Sequence, residues 1–168
     1  ITDYGQVKTM GQEAAEAAGL YQVIGPDMDD RYMEALKKLA IHPEIMKEEG
    51  RDLNIVYTPL HGTGNLPVRR VLDELGFTNV HVVEEQALPD GDFPTVSYPN
   101  PEDKNAFSLA LKLAKEVDAD LVLATDPDAD RLGVYAKDSH TGEYRSFTGN
   151  MSGMLILEYI LSQRKALG

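Results

Sequence analysis

Between Leu53 and Val83 the chain spells a strand, a glycine-rich turn, a helix and a second strand, an order that leaves few folds open. Leu53-Asn-Ile-Val-Tyr57 is a short apolar run with the character of a buried strand. Thr58-Pro-Leu-His-Gly-Thr-Gly64 follows as a turn. Pro67, Val68, Val71, Leu72 and Leu75 then recur at helical spacing, with proline near the start and Gly76 just past the end, the usual asymmetry of a helix. Phe77 to Val83 supplies the second strand. Two strands joined through a helix lie parallel with a right-handed crossover, which commits the chain to an α/β architecture.

The rest of the chain extends that unit. A long irregular segment, Glu84 to Pro101, carries Pro89, Gly91, Pro94 and Pro99, and loops of this length inside a domain are commonly functional. Glu102 to Val117 reads as an amphipathic helix with Ala106, Leu109, Ala110, Leu113 and Val117 on one face. Asp120 to Ala124 is a nearly all-apolar third strand, hence central. Leu132 to Lys137 begins too soon afterwards for a crossover, so it must run antiparallel. His140-Thr-Gly142 turns the chain into Tyr144 to Phe147. The expected fold is a three-layer α/β/α with a mixed, mostly parallel four-stranded sheet and an antiparallel last strand.

Upstream, Gln12 to Leu20 favours helix, with Gly19 ending it, and a second helix is expected from Asp27 with Met28, Tyr32, Leu36 and Leu39 at helical spacing. Downstream, Met154, Leu155, Leu157, Ile160 and Leu161 begin another amphipathic helix. The expected organisation is a connector from an upstream domain over 1–25, the α/β/α domain over 26–147, and the start of a following domain over 148–168.

Directly after the third strand stands Asp126-Pro-Asp128-Ala-Asp130-Arg131. In an extended loop, carboxylates at i, i+2 and i+4 point to one side, where they repel one another unless a cation sits among them. Hard oxygen donors suit magnesium, manganese or calcium, and the carboxyl end of a strand is where open α/β sheets bind ligands. An EF-hand would need Gly and Glu where Arg131 and Lys137 stand. The haloacid-dehalogenase motif would need Thr or Val at Asp130 or Leu132. The plainer alternative is an acidic turn neutralised by solvent and Arg131. Other chemistries have little support. A net charge of −12 argues against a nucleic-acid partner, and no apolar run approaches the ~20 residues of a membrane span. With no cysteine, and four histidines outside any HExxH pattern, thiolate and zinc sites are unsupported, and the missing thiols fit a reducing cytoplasm.

The run PNPEDKNAFSLALKLAKEVDADLVLATDPDADRLGV resembles the second domain of the α-D-phosphohexomutases, the phosphoglucomutase and phosphomannomutase superfamily. TPLHGTG followed by VRRVLDELGF, and the FPTV and YPNPE stretches, are similar to the same domain, so the resemblance covers most of residues 53–136 in order. It implies that Asp126, Asp128 and Asp130 ligate Mg2+, and that Arg131 lies beside the phosphate being moved. It further implies a phosphoserine on another domain, a sugar bisphosphate intermediate, a glucose 1,6-bisphosphate-type activator for the whole enzyme, and a cytoplasmic enzyme. The substrate would be a sugar phosphate, the partners the other domains of the same chain, and no catalytic residue would fall within these residues.

The phosphoglucomutase and phosphopentomutase branch is the nearer likeness, with phosphomannomutase beside it. A cation-binding interaction domain without catalytic duty is the rival class. Gly149-Asn-Met-Ser-Gly153 is similar to the family's sugar-reading loop, which carries Glu where this chain has Asn150. It arrives too early after the aspartates, and it reads instead as a helix start capped by Thr148 or Asn150. His61, Gly62 and Gly64 occupy a strand-to-helix turn whose amides could face a phosphate, or His61 could simply brace a tight turn. Tyr98, Asn100 and Glu102 are expected to brace a neighbouring domain, and Arg69 and Arg70 to be solvated.

Overall fold

The computed structural model describes residues 2–168. By its contacts the chain divides between Tyr32 and Met33. The first unit holds a 3-10 turn, Tyr4–Gln6, with the Asp3 side chain accepting from the Gly5 N–H, and helix α1, Gln12–Ala17. Gly19 follows in the left-handed conformation, so the expected glycine stop is present. Helix α2, Pro26–Lys37, starts on its proline.

The division falls inside α2, and the next helix of the second unit, α3, Pro43–Glu49, is absent from the elements expected from the sequence. Pro43 at its first turn, Glu44 behind it and Lys47 in its last turn are the signals that were available. Strand β1, Ile55–Thr58, is followed by helix α4, Asn65–Leu75, and strand β2, Val80–Val82. Helix α5, Ser108–Val117, leads to strands β3, Leu121–Thr125, β4, Leu132–Lys137, and β5, Tyr144–Phe147. Helix α6, Gly149–Leu167, closes the chain, with the Thr148 hydroxyl accepting from the Met151 N–H as its cap.

The strands form one sheet in the order β2-β1-β3-β4-β5. β1 pairs parallel with both β2 and β3, and β4 pairs antiparallel with both β3 and β5. The sheet is thus mixed, with four of five strands running one way. It gains a fifth strand over the expected four, because the turn at 140–142 folds Tyr144–Phe147 back onto β4. The reversed strand is therefore β4, with β5 beyond it.

Burial explains the layering. Val56, Val122, Ala124 and Tyr135 pack with Phe107, Ala110 and Ala114 of the α5 segment, whereas Tyr57 and Val82 pack with Leu123 and with Val68 of α4. Side chains of a strand alternate between faces, so α4 and α5 cover opposite faces and all four residues of β1 are buried. The chain leaves β1 toward β2 on one side and then returns past β1 to β3 on the other. That reversal of strand order makes the carboxyl ends of β1 and β3 the place where open α/β sheets bind ligands. The segment expected to be helical from Glu102 instead makes a 3-10 turn, Lys104–Phe107, before α5. Asn100 Oδ1 accepts from the Glu102 N–H and Asp103 Oδ1 from the Asn105 N–H, each at 2.9 Å, and these local bonds tighten the chain ahead of the helix. Among the described residues no helix is long and apolar enough to cross a membrane.

Candidate metal centre

β3 ends at Thr125 and β4 starts at Leu132, so six residues must reverse the chain. The Ala129 N–H donates to the Asp126 carbonyl at 3.0 Å, closing a turn, and Ala129 takes a left-handed φ of 60°. This turn brings the aspartates together, rather than the extended alternation expected from their spacing. One carboxylate oxygen each from Asp126, Asp128 and Asp130 lies within 4.8 Å of the others. Asp126 is buried at the strand end, and Asp128 and Asp130 are exposed. The Arg131 N–H donates to Asp126 Oδ1 at 3.0 Å, which fixes the buried carboxylate from the far side of the loop. The Arg131 Nε lies 3.7 Å from Asp126 Oδ2 and 3.8 Å from Asp130 Oδ1, with about half of the side chain in solvent.

One guanidinium against three carboxylates leaves the cluster negative, and like charges this close favour a cation among them. The donor set is all oxygen, with no thiol or imidazole in the cluster, which fits a hard divalent ion.

The turn after β1 lies beside this loop because β1 and β3 are parallel neighbours. His61 is buried there, with Nδ1 3.3 Å from the Leu88 carbonyl and Nε2 2.8 Å from Thr95 Oγ1. Thr95 Oγ1 accepts from Gln86 Nε2 at 3.0 Å, so its own hydrogen is available to the imidazole. The ring therefore carries its proton on Nδ1 and donates it to Leu88. Both ring nitrogens of His61 are engaged within the protein, an arrangement of a brace rather than of an anion ligand. Gly62 and Gly64 of the same turn lie against the aspartate loop and the strand end before it. Thr63 was not singled out, yet its N–H and hydroxyl both donate to the Pro127 carbonyl, at 2.8 and 3.1 Å. Residue type alone could not have found it; the parallel pairing of β1 with β3 could.

Other candidates lie apart. Arg70 Nε pairs with Glu74 at 2.7 Å, and Glu74 also meets Lys37 at 2.8 Å. Tyr98 is exposed. Glu102 lines a cleft with Lys104, Val134, Phe147 and Gly149 that contains none of the three aspartates.

Beneath the loop the Tyr57 hydroxyl meets Thr125 Oγ1 at 2.8 Å. Burial pushes the Tyr57 hydroxyl up to about 12 from its ordinary 10, and the Thr125 contact offsets part of that rise. The folded chain keeps this proton to about pH 12 while the unfolded chain releases it near 10, so the unfolded state is favoured as pH rises through that window. Below pH 10 the effect is absent. Urea midpoints of the native chain are expected to fall faster across this window than those of Tyr57→Phe; parallel curves would refute the assignment.

Residues 30–142 match the family described as phosphoglucomutase/phosphomannomutase, alpha/beta/alpha domain II. A Haemophilus influenzae protein named "Probable phosphomannomutase" is 41% identical over 143 residues, which is 85% of this chain and 28% of that protein. A Staphylococcus aureus phosphoglucomutase is 45% identical over 116 residues, 69% of this chain and 21% of the other. The crystal structure of a phosphoglucomutase/phosphomannomutase family protein from Burkholderia thailandensis superposes with a TM-score of 0.55 at 25% identity, over 71% of this chain and 26% of that one. This chain thus spans between a fifth and a third of the length of these proteins.

Proposed function

This chain belongs to the phosphoglucomutase/phosphomannomutase family, whose α/β/α domain II it matches, and from that premise we propose that it is the magnesium-holding part of an enzyme interconverting hexose 1-phosphate and hexose 6-phosphate. The observation that carries this reading is the convergence of Asp126, Asp128 and Asp130 beyond the carboxyl end of β3. These three residues would hold the ion, and when bound it would supply charge neutralisation to a migrating phosphoryl group. Arg131 keeps its guanidinium between Asp126 and Asp130 while half-exposed, which suits it to meet a phosphate oxygen from the solvent side. His61 enters as a brace of the neighbouring turn. The phosphoserine, the sugar-reading residues and a bisphosphate intermediate belong to other parts of the whole enzyme, so these residues alone are inert.

Within that enzyme we assign residues 26–147 to the metal domain, 1–25 to a connector and 148–168 to the start of the next domain. The exposed Met154, Leu155, Ile156, Leu157 and Leu161 of α6 support this assignment over a self-contained interaction module, since a stable lone module would cover them.

A graft tests the reading. Residues 30–142 replace the matching segment of the Staphylococcus aureus phosphoglucomutase, and conversion of glucose 1-phosphate is followed with a coupled dehydrogenase. The chimera is expected to be active and to keep its host's sugar preference, while this chain by itself shows no turnover. A folded chimera inactive on both glucose and mannose phosphates would sink the proposal.

A further inference from the structure

The aspartate loop has a left-handed residue at its turn and few bonds of its own, so something outside it must fix its course. Residues 59–64 are in place to do that. Pro127, between the first two aspartates, has no N–H, which leaves its carbonyl as the loop's backbone anchor there. That carbonyl receives two donors from one residue, the N–H and hydroxyl of Thr63. A Cβ added at Gly62 would lie 2.3 Å from Pro127 Cα and 2.4 Å from its carbonyl oxygen, so the two backbones touch and only glycine fits. At Gly64 a Cβ would meet Thr125 Oγ1 and the Tyr57 hydroxyl at 2.6 Å, in the bond that joins the ends of β1 and β3.

The turn is itself held in an unfavourable shape. Leu60 and His61 are consecutive left-handed residues, with φ of 47° and 61°, a conformation that non-glycine residues adopt only when their surroundings enforce it. The enforcement is visible. Leu60 is fully buried, its N–H donates to Thr58 Oγ1, the His61 N–H donates to the Gln86 carbonyl, and the His61 ring is tied to Leu88 and Thr95. One side of this strained turn is thus anchored in the core and on residues 86–95. Its other side, at Gly62, Thr63 and Gly64, bears on the aspartate loop and the strand end before it, so the strain is held where it sets the position of that loop.

We infer that residues 59–64 are a positioning strap for the aspartate loop, and that Thr63 is its positioning residue, tuning cation affinity without touching the cation. The inference rests on the cation-binding reading of the aspartates, but its test separates the two. Thr63 is exposed, so Thr63→Val in the full 168-residue chain removes one donor to Pro127 and leaves the fold intact.

Two readouts are taken: amide hydrogen exchange at Ala129 and Arg131 without metal, and Mn2+ affinity by electron paramagnetic resonance. Thr63→Val is expected to speed exchange at both amides and weaken Mn2+ binding, each about fivefold, the scale of one neutral hydrogen bond. Thr63→Ser is expected to restore both. Unchanged exchange, or faster exchange with unchanged Mn2+ affinity, overturns the strap while leaving the aspartate reading in place. Faster exchange in a chain whose native form never saturates with Mn2+ supports the strap and overturns the aspartate reading instead.

Discussion

Asp128→Asn is expected to weaken Mn2+ or Mg2+ binding roughly a hundredfold while leaving the melting temperature of the metal-free chain unchanged or slightly higher. Asp128 is exposed and makes no hydrogen bond or ion pair among the described residues, so the amide removes a charge and no native contact. Between a dication and a carboxylate in contact, even with the dielectric of water, the Coulomb energy is about 3 kcal/mol, or two powers of ten in affinity. Without the ion the substitution relieves repulsion from Asp126 and Asp130. The native chain should therefore gain thermal stability on adding Mn2+, and Asp128→Asn should not. Asp126→Asn provides the contrast: Asp126 is buried and accepts from the Arg131 N–H, so its loss should lower both affinity and stability. Calorimetry that finds the same affinity in native and Asp128→Asn chains, both folded, would remove the aspartates as a ligand set.

What the sequence disclosed and what it withheld follow from how local each cause is. The β1–α4–β2 unit was legible because proline, glycine and apolar spacing act over a few residues, and the antiparallel β4 was legible from loop length alone. Helix α3 was missed although Pro43 announces it, because its seven residues show too short a periodicity. The aspartates were legible as a cluster, but not the turn that gathers them, since nothing in the residue type of Ala129 announces its left-handed backbone. The same holds for the strap. Leu60 and His61 carry no residue-level sign of a left-handed backbone, and the Thr63–Pro127 bonds join residues that approach only once β1 has paired with β3. His61 stood out for its chemistry, and the fold uses its two nitrogens to hold a loop in place.

The scaffold behind the aspartates is expected to fail first at Phe107. Its ring is buried against Tyr135, centroids 4.7 Å apart, and its Cζ would be 2.7 Å from a Cβ on Gly133. Gly133 is the second residue of β4, two positions after Arg131, so this contact seats the strand on which the aspartate loop ends. Phe107→Ala should cost about 3–5 kcal/mol, the scale of an aromatic removed from a packed core that only partly closes over the gap. Phe107→Leu, which refills much of the volume, should cost roughly 1–2 kcal/mol. Against a total of about 5–15 kcal/mol for a typical domain, the alanine variant should stay folded without denaturant but lose roughly 2 M in its urea midpoint. Its cation affinity, measured where it is folded, should fall far less than that of Asp128→Asn, because every ligand charge remains. A loss below about 1 kcal/mol would mean that β4 is held by its pairing with β3 alone, and that the close fit of Gly133 on Phe107 contributes nothing to where the loop ends.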